Sequence, residues 1–119
     1  MNDLKFGKTK AHRDRTFLDW LRDQPCAVTQ REATYEQPNE PAHTFKSTGG
    51  GGASQKSGDK YAVALTHEEH AKQGRMSELT YWRVVIANDD VLLKQMVQAY
   101  AEKFYYNRYL LEQQGKKTP

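Results

Sequence analysis

A single cysteine, Cys26, excludes an internal disulfide and leaves that thiol to packing, to a metal or to a reducing compartment. Long apolar runs are missing too. No window approaches the ~18 apolar residues that a membrane span needs, and Met1 to Arg15 holds no apolar signal core. The expectation is a soluble, cytoplasmic chain with no membrane partner. No internal repeat is present, and neither sign of charge dominates, with 18 Lys and Arg against 15 Asp and Glu. The formal net charge of +3 does not decide between a polyanion partner and a solubilising surface. With 119 residues there is room for one domain, because compact domains cluster near ~100–150 residues. A hydrophobic share of 37% allows only a modest core.

The charge that is present gathers at the ends. Lys5, Lys8, Lys10, Arg13 and Arg15 crowd the first fifteen residues, and Lys116 and Lys117 sit near the last. Residues 1–11 read as an untethered basic arm and 12–119 as a single domain. From Asp14 to Arg22 the spacing puts Phe17, Leu18, Trp20 and Leu21 on one side of a short helix stopped by Pro25. Cys26 to Thr29 is short and β-competent, and the turn chemistry of residues 37–41 precedes Ala42-His43-Thr44-Phe45, so a two-stranded hairpin is the economical reading. Thr48 to Asp59 contains four consecutive glycines and almost no apolar side chain, which makes it a loop. A strand follows over Lys60 to Leu65.

Thr66 and Glu69 form a capping-box pattern that opens a helix at His67 and lets it run to Gly74. A further helix spans Ser77 to Ala87. Asp89 or Asp90 can cap a long one reaching Gln114, with Leu93, Val97, Tyr100, Phe104 and Leu111 as its apolar stripe. That stripe serves internal packing or a homodimer contact equally well. The fold class is therefore α+β: a strand-strand-helix core over 25–78, flanked by an N-terminal helix and by C-terminal helices over 77–114.

Chemistry-bearing residues concentrate in that core, in the order His43, Lys56, Asp59, His67, His70. A strand histidine can take a proton from water while loop and helix ligands hold a divalent ion against a phosphate. The run Gly50 to Ser57 is one residue from a phosphate-binding glycine loop, but Gln55 stands at a required glycine and no helix follows.

The residues Pro25-Cys26, Ala42-His43, Gly49 to Gly52, Lys56, Asp59, Ala64-Leu65 and Glu69-His70 keep an order and spacing that resembles the phage and prophage His-Asn-His (HNH, ββα-metal) nucleases, including recombination-enhancement nucleases. The resemblance covers roughly residues 25–78. It implies a metal-dependent DNA endonuclease in phage DNA processing or recombination, with His43 as general base and His70 as a metal ligand. Asp59 would replace the family's middle Asn or supply a second ligand, and Lys56 would contact phosphate or stabilise the leaving group. One divalent ion (Mg, Mn or Zn) is implied, with DNA as partner and a recombinase or other phage protein as a further one.

Lys8, Lys10, Arg13, Lys46, Lys56 and His67 are the expected nucleic-acid contacts, His67 being either a phosphate contact or simply exposed. The chain also departs from the family. Ala42 occupies a metal-ligand position and Gly74 that of a further possible ligand. Cys26, Thr29, Thr66 and Glu69 occupy the four positions of a structural zinc and make a poor tetrahedral set, so no structural zinc is expected. Those departures keep a second function open, a non-catalytic nucleic-acid or protein-binding module on a degenerate HNH-like fold.

Overall fold

Asp14 starts the first element by accepting the Phe17 N–H on Oδ1 at 3.1 Å, which caps helix α1, Arg15–Leu21. The computed structural model of the protein describes residues 13–45, 58–86 and 92–117. After α1 come strand β1 (Glu40–His43), a 3-10 turn at Asp59–Tyr61, strand β2 (Ala62–Leu65) and helix α2 (His67–Arg75). Helices α3 (Glu78–Ile86), α4 (Leu93–Ala101) and α5 (Asn107–Lys117) follow, the last two joined by a π turn at Glu102–Tyr106. The chain is α+β, and among the described residues no helix is long and apolar enough to cross a membrane.

The predicted hairpin is not the one that forms. β1 pairs antiparallel with β2, Glu40 opposite Leu65 and His43 opposite Ala62, while residues 26–29 close into a turn. Cys26 explains the difference. Its Sγ accepts the N–H groups of Val28 and Thr29 at 3.4 Å each, and its carbonyl accepts the Gln30 N–H at 2.9 Å. Gln30 then takes a positive φ of 65°, which ends any extended run. Cys26 is fully buried, and burial pushes its thiol pKa up, but hydrogen bonds from the Thr29 side chain and from the Thr29, Val28 and Thr66 backbone outweigh this and leave it lowered. The remaining residues up to β1 are stapled by Asn39, itself fully buried, whose side-chain N–H groups reach the Gln24 and Arg31 carbonyls and whose Oδ1 accepts from Arg31 at 2.7 Å.

The strand expected to begin at Lys60 begins at Ala62, after the 3-10 turn, and all four of its residues are buried. Half of the expected capping box forms: Thr66 Oγ1 accepts the Glu69 N–H at 3.1 Å. The Glu69 carboxylate instead takes the Tyr81 hydroxyl at 2.8 Å and Lys72 at 3.3 Å, tying α2 to α3.

The long final helix is interrupted. An α-helix advances 100° per residue, so side chains four apart drift by about 40° each step. The π turn, with its wider i→i+5 bonding, offsets that drift. The buried stripe therefore steps by four through Leu93, Val97, Ala101, Tyr105 and Tyr109, while Tyr100, Phe104 and Leu111 of the predicted stripe are exposed. Tyr106 and Tyr109 pack on Phe17 with ring centroids 5.0 and 5.3 Å away, and Trp20 Nε1 donates to Glu112 at 2.8 Å. The C-terminal helices thus clamp α1 against the sheet. Full burial of Phe17 contributes on the order of 1.5–3 kcal/mol to that seating.

Candidate active site

Side chains on a strand alternate between its two faces, so Pro41 and His43 leave β1 on one side and Glu40 and Ala42 on the other. On the first side lies a cleft of about 520 Å³ lined by Arg13, Arg15, Leu18, Asp19, Arg22, Pro41, His43 and Asp59. Arg15, Leu18, Asp19 and Arg22 come from one face of α1 and its C-terminal end, where residues three, four and seven apart align. Three arginines and two carboxylate residues thus line it. Of these carboxylates, Asp19 is an exposed partner of Arg22 at 3.7 Å and Asp59 is buried.

Asp59 is the hub of this cleft. Its Oδ1 lies 2.7 Å from His43 Nε2, and its Oδ2 accepts the Asp14 backbone N–H at 2.6 Å. Burial raises the Asp59 pKa, yet the bonds from His43 and Asp14 and the nearby charges of His43 and Arg13 more than cancel this and hold it below the ordinary carboxylate value. An ionised carboxylate can only accept. His43 therefore donates from Nε2, and its Nδ1 is left with the lone pair whenever the imidazole is neutral. The backbone of His43 is held from behind, Gln73 Nε2 of α2 donating to its carbonyl at 2.9 Å. Thr44, fully buried, donates to the Tyr61 carbonyl at 2.7 Å and fixes β1 to the turn that carries Asp59.

On the second side, Glu40 meets α2. His70 Nδ1 lies 2.8 Å from Glu40 Oε1 and His67 Nδ1 lies 2.9 Å from Oε2, so one carboxylate brackets two imidazoles. The hydrogen bond from His70 depresses the Glu40 pKa most, partial burial opposes it, and His67 adds to the depression.

The structure thus brings His43 and Asp59 together and gives His70 a different partner. The divalent ion that the resemblance implies would draw Asp59 and His70 into one ligand set. Both Asp59 oxygens are already engaged on the α1 side, and His70 is engaged by Glu40. Among the described residues no group of three or more His, Cys, Asp or Glu could hold a metal ion. The residues do not fit a shared metal centre as they stand.

Of the expected nucleic-acid contacts, Arg13 lines the cleft and His67 is exposed beside Glu40. Lys8, Lys10, Lys46 and Lys56 lie outside the described residues, as does the Gly49 to Gly52 loop. Arg15, Arg22, Asp14, Glu40 and Gln73 were not singled out as site residues in the sequence. The seven-residue spacing of Arg15 and Arg22, two turns of one helix face, is a legible signal for the first pair. Gln73 has no such signal. Neither the family models, nor the curated proteins, nor the solved structures compared with this chain give a match.

Proposed function

We propose that this chain is a nuclease that hydrolyses phosphodiester bonds in DNA, with His43 as its general base. The reading rests on one observation: a histidine held through Nε2 by a buried, ionised Asp59, at the wall of a cleft that carries three arginines. The arginines meet the phosphate oxygens and offset their charge. His43 Nδ1 takes a proton from a water whose oxygen attacks phosphorus, the bond from phosphorus to the leaving oxygen breaks, and that oxygen takes its proton from solvent, to which the imidazolium afterwards returns one. Asp59 keeps the imidazole in the tautomer this requires and stabilises the imidazolium that forms, as a carboxylate beside a catalytic histidine does. The choice of DNA comes from the resemblance, and an RNA of equal length is the control.

The test is conversion of supercoiled plasmid to open circles by wild-type protein and by His43→Ala, with Mg²⁺, with Mn²⁺, with Zn²⁺ and with chelator. A general base contributes roughly 10²–10⁴-fold, so the variant should lose most nicking while binding the plasmid as before. Nicking by His43→Ala at the wild-type rate would overturn the assignment.

The separate engagement of His70 by Glu40 favours a second reading, a DNA-binding module without cleavage. Plasmid binding by the wild type with no nicking under any of those ions would select it.

A further inference from the structure

The side chain of Asp59 is only 4% exposed, and its two oxygens already accept N–H groups from His43 and from Asp14. Magnesium keeps several of its waters when it binds, and a carboxylate this enclosed presents little surface to a hydrated ion. Asp19, the other carboxylate residue of the cleft, is exposed and stands 3.7 Å from Arg22. Residues 46–57, between β1 and the Asp59 turn, include Lys46 and Lys56 but no His, Cys, Asp or Glu. Arginine is what the cleft has in excess: Arg13, Arg15 and Arg22 outnumber its carboxylates. A lining with cations in excess draws in phosphate and disfavours a metal cation. The order of the three along the chain sets how far each lies from the chemistry. Asp14 donates its N–H to Asp59, so its neighbours Arg13 and Arg15 lie at the His43 end, and the charge of Arg13 helps to keep Asp59 ionised. Arg22 comes seven residues after Arg15, about 10 Å further along the helix at ~1.5 Å per residue. That is roughly the axial rise of three nucleotides of one DNA strand at ~3.4 Å each.

We propose that Arg13 and Arg15 are catalytic residues that take the part of a divalent ion at the scissile phosphate, so that cleavage needs no metal, while Arg22 grips a phosphate further along the strand. These roles rest on the reading of His43 as general base. As the water oxygen bonds to phosphorus and the bond to the leaving oxygen breaks, negative charge grows on the phosphoryl oxygens and on the leaving oxygen. A guanidinium meets such oxygens with a planar fork of N–H donors and a charge that no working pH removes. Fixed donors of this kind stabilise developing charge without an ion to polarise it. The proton balance is unchanged: His43 Nδ1 takes one from water, and solvent supplies one to the leaving oxygen.

The experiment uses the full-length protein, dialysed against chelator, with His43→Ala purified in the same way as the blank for contaminating nuclease. An end-labelled DNA duplex is cleaved over a range of DNA concentrations, in excess chelator and with Mg²⁺, Mn²⁺ or Zn²⁺ added. Wild type should cleave as fast in chelator as with any of the ions. Arg13→Ala and Arg15→Ala should each lower kcat by roughly 10²–10³-fold, the loss typical when a donor to developing negative charge is removed. Arg22→Ala should act mainly on KM, raising it about tenfold, because it holds the ground state and the transition state alike. Cleavage abolished by chelator and restored by a divalent ion would overturn the metal-free assignment. Should that metal-dependent activity still fall in His43→Ala, the general base stands and only the arginine roles are lost. An unchanged kcat in both Arg13→Ala and Arg15→Ala would overturn those roles as well. Wild type that cleaves under no condition removes the base and the arginine roles together. Where an alanine variant fails to fold, the chelator series on wild type decides alone.

Discussion

Asp59 concentrates the demands on the molecule into one carboxylate. Its oxygens satisfy a ring N–H from β1 and a backbone N–H from the residue that caps α1, so a single side chain joins the proposed base to the helix that carries the arginines. Losing that charge costs stability as well as chemistry. Hydrogen bonds to a charged group contribute roughly 1.5–3 kcal/mol each, and Asp59→Asn keeps only part of them, so it should destabilise the fold by about 1–3 kcal/mol at neutral pH. The folded-state pKa of Asp59 lies below the ordinary Asp value of about 4. Its contribution is therefore fully present above pH ~4 and fades as the pH falls through the lower, folded value. Denaturant melts of both proteins from pH 7 to 2 should show the gap between them closing in that acid window. A gap independent of pH would mean that the Asp59 charge has no part in holding α1 and His43 together.

Among the elements, α1 matters most for its seating. Phe17 and Leu21 bury its inner face, Tyr106 and Tyr109 close over Phe17, and its outer face offers Arg15 and Arg22 to the cleft. If those two arginines meet phosphates, Arg15→Ala combined with Arg22→Ala should weaken DNA binding. It should also flatten the slope of log K against log salt by about 0.9 per contact removed. Fluorescence anisotropy across a salt series measures both quantities, and an unchanged slope would place the DNA elsewhere. Helix α1 was legible in the sequence because its capping residue and apolar spacing are local signals. The same holds for α2, whose cap at Thr66 falls where the pattern put it. The pairing of β1 with β2 was not legible. Cys26 to Thr29 has strand-like composition, but the N–H groups of Val28 and Thr29 are taken by the buried Cys26 sulfur, a contact that propensity does not foresee. The π turn escaped for a similar reason: a four-residue repeat reads as ordinary helix until its drift is summed over several turns.

In the whole molecule, the residue types of the site were legible and their grouping only in part. His43 and Asp59 meet as the order of the core suggested, while His70 sits with Glu40 because α1 covers one face of a four-residue strand and α2 the other. Parity along β1 decides this, and parity depends on a register with β2 that the sequence does not display. The central claim is that His43 and Asp59 act as one unit on a bound phosphodiester. Single-turnover cleavage of an end-labelled DNA by wild type, His43→Ala, Asp59→Asn and the double variant tests it most directly, with DNA affinity measured on each protein. Residues that act as a unit lose their effects non-additively. The account predicts a loss of roughly 10²–10⁴-fold in His43→Ala, a smaller one in Asp59→Asn, and a double variant no slower than His43→Ala, all at similar affinity. Losses that multiply in the double variant, or a wild-type rate in His43→Ala, would contradict it.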